Sequence, residues 1–392
     1  MNDREQTGPG HETATTNPSG GDSWWLHGMV EQLLWVKLLR VPALALRPQR
    51  VGLAVFLVVL IGLIGNIGMP WRAEEVEPFL GAVLGAQLDA LAMFWQGVLG
   101  LDGGAVASGF VGLMVDAPRL ALTRYPVESV LLGLPTMAVW AVLGGALCRS
   151  VACEVSLEMT LPWTKQLAFA TKRWASFLGV VLLPTVVVGA IALVLAVGGV
   201  VLFNGVPALE LVGGLLFGGG LLLALLAVGM MGLVGLACPM LLPSVACEAT
   251  DAIEALGRAL AYVIARPLRL AVYLAIGGVT CAVAIAVAFA LAEGAIGLAH
   301  AATGAWLAAQ GIAELTGAYP IDAQLDQAGE LREIGATARG SAWLVGFWGS
   351  CLRLVVMGYA VSCFLTAGTM VYLFMRQVCD GQHYAELWSE DG

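Results

Sequence analysis

The sequence predicts an all-α integral membrane protein, a polytopic helical bundle of about six transmembrane helices. Of its 392 residues, 59% are hydrophobic and only 12% are charged, and the mean hydropathy is +0.85. Soluble domains do not have this composition. Several apolar runs are long enough to cross a hydrocarbon core of roughly 30 Å as helices. These runs are continuously apolar, whereas the strands of outer-membrane barrels alternate between apolar and polar residues.

The chain opens with a polar tail, residues 1–22, that we expect to be disordered and cytoplasmic. The stretch 24–50 then mixes apolar residues with Lys37 and Arg40, which predicts an amphipathic helix lying at the membrane interface. Arg47 and Arg50 would form the cationic flank of the first span.

A single transmembrane domain is predicted over residues 23–376, followed by a cytoplasmic tail, 377–392. Its predicted spans are residues 51–69, 129–148, 176–203, 211–242, 270–291 and 354–375. Two long external segments, 70–128 and 292–349, separate some of them. In the first, Asp102 divides apolar stretches that suit helices on the outer surface, and a re-entrant segment is the alternative. In the second, an Ala-rich helical pattern precedes a polar stretch, 322–339, predicted to be a solvated helix and loop.

The basic residues predict the orientation of the bundle. If the N-terminus is inside, thirteen of the nineteen Lys and Arg residues fall on the inner side and five on the outer side. We therefore expect a multi-pass protein of the inner or plasma membrane with both termini in the cytoplasm. The net charge is −9, and the basic residues do not form the large positive patch that nucleic acid would need. Nucleic acid is therefore not an expected partner.

An identical pentapeptide, Ser-Val-Ala-Cys-Glu, occurs at 150–154 and again at 244–248. Each copy ends a span that runs inward and precedes an amphipathic helix and a returning span, which predicts a parallel internal repeat with cytoplasmic amphipathic helices. In the second copy, Asp251 and Glu254 favour a helix start, and Pro267 ends that helix.

The repeat places Glu154 and Glu248 at equivalent inner-boundary positions, near Ser150 and Ser244. Paired across the bundle, these residues could form a proton, cation or solute site, because ionisable groups at membrane depth are often functional. The alternative is that each carboxylate forms an ion pair with a nearby arginine or balances the partial charge at a helix N-terminus.

A basic rim follows the two cytoplasmic helices. Its members are Lys165, Lys172, Arg173, Arg258, Arg266 and Arg269. Cations at this position attract anionic headgroups at about 1 kcal/mol each. They could also form a specific pocket for a lipid phosphate or an anionic solute. Membrane lipids are therefore the expected partners, while protein partners and homo-oligomers stay open.

Chemistry-bearing motifs are absent from the sequence. It has no Walker lysine pattern, no H-E-x-x-H and no nucleophile elbow, and its four histidines are scattered. We therefore predict no catalytic residues, no cofactor and no metal site, and a protein that is not an enzyme. None of the eight cysteines falls in the external segments, so disulfides are not expected. The glycine run 218–220, with Gly214, predicts close helix packing.

Residues 244–269 and 372–381 resemble segments of uncharacterised bacterial multi-pass membrane proteins. In those proteins a helix rich in small residues and arginine joins two spans, and the last span ends in a similar Tyr…Arg…Asp-Gly tail. The chain resembles more distantly the membrane domain of some glycerophosphodiester phosphodiesterases, without their catalytic domain. The resemblance implies a six-span helical domain and no catalytic residues.

Two functions agree with these patterns. The first is non-enzymatic membrane organisation, in which the cytoplasmic helices bind lipid or protein partners. The alternative is a transporter or permease for a small solute or lipid, with a cavity between the two repeated hairpins. A water-accessible cavity that reaches both Glu154 and Glu248 would favour transport, and a solid bundle with each glutamate paired to arginine would oppose it.

Overall fold

A computed structural model describes residues 34–67, 78–203, 205, 207–309 and 336–382. The predicted tail 1–22, most of the polar stretch 322–339 and residues 383–392 lie outside this part of the chain. Every regular element within it is a helix, so the predicted all-α class is confirmed.

Fourteen α-helices lie in the described residues. In chain order they are α1 (Leu34–Lys37), α2 (Val41–Ala45), α3 (Pro48–Gly65), α4 (Phe79–Gly100), α5 (Gly103–Val111), α6 (Ala117–Arg124), α7 (Pro126–Glu128), α8 (Leu134–Leu157), α9 (Trp163–Lys172), α10 (Trp174–Leu202), α11 (Pro207–Glu248), α12 (Ala252–Ala265), α13 (Pro267–Ala309) and α14 (Ala336–Asp380). A 3-10 turn, Leu38–Arg40, joins α1 to α2. Two π-helical stretches, Gly112–Asp116 and Ser129–Gly133, join the α-helices on either side of them. Residues 103–124 and residues 126–157 therefore each form one nearly continuous helix.

Eight helical stretches in the described residues are long and apolar enough to cross a membrane, two more than the six predicted. Six of them coincide with the predicted spans. The other two, Phe79–Gly100 and Gly103–Arg124, lie in the segment that we expected to be external. A pair of added crossings returns the chain to the side it left, so the predicted side of both termini does not change.

The two additional helical stretches form a tight antiparallel hairpin. Its turn is Leu101, which takes a left-handed conformation (φ 53°), and Asp102, whose carboxylate accepts hydrogen bonds from the backbone N–H groups of Gly104 (2.9 Å) and Ala105 (3.3 Å). Any side chain at Gly109 would overlap the backbone of Phe94, so glycine is required for this approach.

This hairpin also reaches the side of α11. A Cβ atom placed on Gly235 would come within 3.1 Å of Met114 Cε, and one on Gly232 within 3.7 Å of the Phe110 ring. Both glycines lie inside the predicted span 211–242. The contact therefore favours a hairpin that enters the bundle over helices that lie on its outer surface.

A single interfacial helix was predicted over 24–50; residues 24–33 lie outside the described part of the chain, and from residue 34 onward the stretch forms several short helices instead of one. Pro42 and Pro48 each sit in the first turn of a separate helix, because proline is accepted there and disrupts a helix interior. Leu38, Val41 and Ala45 are fully buried. The Ser362 hydroxyl donates to the Ala45 carbonyl (2.8 Å), so the segment is anchored against α14 rather than lying on a surface.

The buried core lies toward one end of the bundle, which we call the hub. The hub consists of the C-terminal ends of α8, α11 and α14, the start of α3, and the two short helices α9 and α12. Tyr372 and Phe374 are fully buried there, whereas Leu215, near the other end of α11, is 83% exposed. Exposed leucines on a membrane-span helix are the surface that lipid covers.

Close packing between the long helices does not use the glycines that the sequence singled out. A Cβ atom on Gly214, Gly218 or Gly219 would meet nothing within 4 Å, so these three glycines do not pack closely, and one on Gly220 would lie 3.5 Å from Leu195 Cδ2 of α10, an ordinary contact. Close approaches occur instead at two glycines of α14: a Cβ atom on Gly368 would overlap the Pro239 carbonyl of α11, and one on Gly358 would overlap Val55 of α3. With fifty glycines in the chain, the small-residue spacing alone could not identify the site of packing.

Candidate functional site at the hub

The two pentapeptide copies occupy similar places at the hub. The first lies four residues before the end of α8, where Glu158 takes a left-handed conformation (φ 53°), and the second ends α11, where Ala249 does the same (φ 54°). A short amphipathic helix and a long apolar helix follow each copy, α9 and α10 after the first, α12 and α13 after the second. The predicted order of elements is therefore present, and symmetry between the two units stays a prediction.

Glu154 of the first copy belongs to a buried network around Arg50 at the start of α3. The Arg50 side chain is 3% exposed and donates to Glu154 Oε2, to the Ser150 hydroxyl (3.1 Å), to the Ser150 carbonyl (3.1 Å) and to the Leu44 carbonyl (2.7 Å). Arg47, whose side chain is 49% exposed, pairs with Glu154 Oε1 (2.5 Å). Two arginines thus hold one carboxylate and fasten α3 to α8.

A polar cavity of about 140 Å³ adjoins this network. Its lining includes Arg47, Arg50, Ser150 and Glu154, together with Thr160 from the turn that follows α8. Neither Ser244 nor Glu248 belongs to the lining, so this cavity adjoins one copy of the pentapeptide and not both.

Glu248 of the second copy has different partners. Arg258 of α12 donates to its Oε2, and the Tyr372 hydroxyl of α14 donates to its Oε1. The Arg376 Nε atom is 3.8 Å from Oε1. Arg258 also pairs with Glu254 (2.6 Å), one helical turn away on α12. Both carboxylate oxygens are therefore engaged, and they connect α11, α12 and α14.

Tyr262 of α12 strengthens the same junction. Its hydroxyl donates to Asp380 at the end of α14, and its ring centroid lies 5.7 Å from that of Tyr372. Burial raises the pKa of the Tyr262 phenol well above its ordinary value, and the hydrogen bond to Asp380 raises it further. The phenol therefore stays a neutral donor over the physiological pH range.

Two further arginines tie the hairpins to each other. Arg173, just after α9, donates to the Ala249 carbonyl, and Arg149 donates to the Ala246 carbonyl (2.9 Å). The Arg149 guanidinium also lies 4.6 Å from the centre of the Phe169 ring, within the range of a cation–π interaction. These contacts satisfy carbonyls at the end of α11 that have no helical partner.

The four residues predicted as one ion or solute site therefore belong to two networks. Glu154 and Ser150 share Arg50, whereas Glu248 binds Arg258 and Tyr372, and the Ser244 hydroxyl donates within its own helix to the Leu241 carbonyl (2.7 Å). The sequence identified Arg50 only as a flanking cation. Tyr372 was mentioned only as part of a segment that resembles other proteins. Nothing in the sequence showed that it reaches Glu248.

The predicted basic rim divides in the same way. Arg173 and Arg258, both partly exposed, bind groups of the protein itself, namely the Ala249 carbonyl and Glu248. Lipid contact by these two residues stays a prediction. The other four rim residues are exposed: Lys165, Lys172, Arg266 and Arg269. We call them the cationic rim.

Large apolar side chains are exposed beside the cationic rim. Trp163 and Trp174 lie at the starts of α9 and α10, each 55% exposed, and Ile264 and Leu268 lie close to Arg266 in the chain, at 65% and 82%. Tryptophan and aliphatic side chains alternating with cations are typical of helices that lie in the headgroup region of a membrane.

The described residues include no group of three or more His, Cys, Asp or Glu side chains placed to hold a metal ion. All eight cysteines are free thiols. The surface of the hub presents charged and apolar side chains, and its internal ion pairs hold helices together.

Comparison of the chain with protein-family models, with curated proteins and with solved structures found no match. The resemblance to bacterial multi-pass proteins and to phosphodiesterase membrane domains stays a prediction.

Proposed function

We propose that this protein is a non-enzymatic integral membrane protein that binds anionic phospholipids at its hub, on the cytoplasmic side. The observation that carries the proposal is the cationic rim with its exposed Trp163 and Trp174. Trp163, Lys165 and Lys172 belong to α9, Arg266 directly follows α12, and Trp174 and Arg269 lie in the first turns of the long helices α10 and α13. Arg173 fastens the end of α9 through the Ala249 carbonyl, and the pair of Arg258 with Glu248 fastens α12. A fixed array of cations and interfacial aromatic rings fits the headgroup layer of a membrane.

The strength of such binding can be bounded. Each cation near an anionic surface contributes about 1 kcal/mol, so the four rim residues together contribute at most about 4 kcal/mol, roughly a thousandfold in affinity. Ordering of the exposed lysine and arginine side chains subtracts from this figure, at about 0.5 to 1.5 kcal/mol for each side chain that lipid immobilises. The expected result is a preference for anionic over zwitterionic lipids that salt weakens.

The transporter alternative has less support. It depended on carboxylates that are open to water and shared between the hairpins. Glu154 is instead neutralised by Arg47 and Arg50, and Glu248 by Arg258. The cavity beside Glu154 lacks the residues of the second copy. An ion bound at Glu154 would have to displace the buried guanidinium group of Arg50, which is costly.

The proposal can be tested with the full chain in a mild detergent, by adding phosphatidylglycerol or phosphatidylcholine and measuring thermal unfolding. We expect phosphatidylglycerol to raise the melting temperature of the native protein more than phosphatidylcholine does. The double variant Arg266→Gln/Arg269→Gln should lose about half of that difference, because it removes half of the cationic rim.

The matched control is Arg119→Gln/Arg124→Gln, which removes two arginines from the end of the bundle away from the hub. It should keep the full difference between the two lipids. Equal losses in the two double variants, or no difference between the lipids in the native protein, would overturn the proposal.

A further inference from the structure

The polar cavity beside Glu154 differs in charge from an apolar groove of about 310 Å³ that lies between α11, α13 and α14. No charged residue lines the groove, whereas two arginines and one glutamate line the polar cavity. The polar cavity measures about 140 Å³. One water molecule needs about 10 to 15 Å³ of such space, so the polar cavity has room for several waters or for one small polyatomic ion.

The lining of the polar cavity is positively charged. Arg47 and Arg50 contribute two positive charges and Glu154 one negative charge, which leaves a formal charge of +1. The N-terminus of α3, which Arg47 precedes, adds the partial positive charge of a helix start. Both oxygens of Glu154 are already taken, Oε1 by Arg47 and Oε2 by Arg50. A cation would find no open carboxylate there, whereas one monovalent anion would balance the lining.

The lining also has N–H groups that bind nothing within the described residues. A guanidinium has five N–H groups, and that of Arg50 makes four hydrogen bonds, so at least one N–H on Nη1 is left over. This side chain is only 3% exposed, and a buried donor without an acceptor costs free energy. Arg47 uses Nη2 for Glu154, and its Nε and Nη1 atoms have no acceptor in the described part of the chain. An anion in the cavity can therefore accept from the arginines without displacing either of them from Glu154.

Two exposed side chains complete the set of donors. Gln49 lies in the first turn of α3, and Thr160 lies in the turn that follows α8. Together with Arg47 and Arg50, donors from two separate elements therefore line one cavity. Such a set suits an anion whose oxygens point in several directions, and the guanidinium fork of arginine can pair with two phosphate oxygens at once.

We infer that the polar cavity binds a phosphate group with one negative charge, carried either by a phospholipid headgroup or by a soluble phosphate ester. Arg47, Gln49 and Thr160 are open to solvent and donate to the phosphate oxygens, while the buried Arg50 supplies a fixed positive charge. The inference goes beyond the proposed function, because none of these residues belongs to the cationic rim. It holds whether or not the rim prefers anionic lipids.

The test measures binding of radiolabelled inorganic phosphate to the full chain by equilibrium dialysis, in lipid-free micelles of a neutral detergent at constant ionic strength. We expect saturable binding that acetate at the same concentration displaces only weakly. Arg47→Gln, which makes the lining neutral and removes a guanidinium fork, should raise the Kd about tenfold. Thr160→Val, which keeps the shape of the side chain and removes the hydroxyl, should raise it about threefold.

The matched control is Arg40→Gln, which removes the same charge from an exposed arginine seven residues before Arg47 that does not line the cavity. It should change the Kd less than about twofold, since exposed charges outside a site are screened. Thermal unfolding shows which variants are folded, and the exposed Thr160 provides the second variant if Arg47→Gln is not. The inference is overturned if the native protein shows no saturable binding, if Arg40→Gln and Arg47→Gln lose equal affinity, or if acetate displaces the label as well as phosphate does.

The source of the phosphate is identified by competition. Displacement of the label by phosphatidylglycerol in the micelles would indicate a lipid headgroup, and displacement by glycerol 3-phosphate alone would indicate a soluble ester. Either result supports the inference, whereas displacement by neither would overturn it. The rim variant Arg266→Gln/Arg269→Gln should keep the native affinity for the label, so failure of this inference and failure of the proposed function can be distinguished.

Discussion

The two copies of Ser-Val-Ala-Cys-Glu have the same sequence and different interactions. In the first, Glu154 binds Arg50, which is about a hundred residues away in the chain and 3% exposed, and so fastens the first span to the hub. In the second, Glu248 binds Arg258, which is ten residues away in the chain and whose side chain is 38% exposed. Glu248 also accepts a hydrogen bond from Tyr372 of the last long helix. The identical motif therefore places a glutamate near the end of each helix, whereas the residues around each copy determine which helices that glutamate connects.

The difference in burial predicts a difference in energy. Removing one member of a buried ion pair leaves the other uncompensated, at a cost of about 3 to 5 kcal/mol, whereas exposed pairs contribute about 1 kcal/mol or less. The buried Arg50 should therefore tolerate substitution less well than the partly exposed Arg258, whereas the two glutamates, Glu154 at 10% and Glu248 at 6% exposure, are similarly buried. Three predictions test this comparison.

The largest effect is expected for Arg50→Met. It removes one of the two arginines that pair with Glu154 and leaves the Leu44 and Ser150 carbonyls without their donor. Because Arg47 still balances the carboxylate, the free energy of unfolding should fall by about 3 kcal/mol, the lower end of the range for a broken buried pair. Titration with sodium dodecyl sulfate in mixed micelles, followed by circular dichroism, measures this fall. Arg47→Met, which removes the half-exposed partner of the same carboxylate, should cost about 1 kcal/mol or less. Equal losses would mean that burial does not distinguish the two arginines.

A smaller effect is expected at the second copy. Glu248→Gln keeps the shape of the side chain but weakens its bonds with Arg258 and Tyr372, and the partly exposed Arg258 can turn to water. We expect a loss of about 2 kcal/mol in the same titration, since hydrogen bonds to charged groups contribute about 1.5 to 3 kcal/mol. Glu254→Gln, on the exposed side of Arg258, serves as the control and should cost about 0.5 kcal/mol. A loss at Glu248 as large as that for Arg50→Met would remove the contrast between the copies.

The smallest effect, and the sharpest comparison, comes from the two equivalent serines. Ser150→Ala removes an acceptor of the buried Arg50 guanidinium and should cost about 1.5 kcal/mol. Ser244→Ala removes only a bond to a carbonyl of its own helix, and such bonds add little stability, so we expect a change of about 0.5 kcal/mol or less. Each variant is the control of the other. Similar values for both would show that the two copies are energetically equivalent despite their different partners.

Much of the fold followed from composition and periodicity. Long apolar runs identified six helical stretches, and the Asp251 and Pro267 signals bounded α12 closely. The side chain of Asp251 makes no capping hydrogen bond in the structure, although the helix starts where predicted. The hairpin from Phe79 to Arg124 was harder to interpret, because Asp89 and Asp102 interrupt its apolar pattern. One of them, Asp102, is the N-cap that makes its turn.

The candidate site was only partly predictable. The positions of Glu154, Glu248 and the cationic rim followed from the repeat and from the basic residues that flank it. The partners did not, because Arg50 and Tyr372 reach these glutamates from elements that are about a hundred residues distant in the chain. Helix spacing gives neighbours within a helix, and it carries no information about which helices lie side by side.

By itself, the sequence determined that the chain is a helical membrane protein, where most of its long helices lie, and that charges gather at the ends of two of them. These are local properties, since hydropathy and capping depend on residues within a few turns of each other. Only the tertiary structure decided that the two glutamates serve different junctions, that Gly368 packs against the backbone of α11, and that an apolar groove lies between α11, α13 and α14. Those features depend on contacts between distant segments, which arise only when the helices pack.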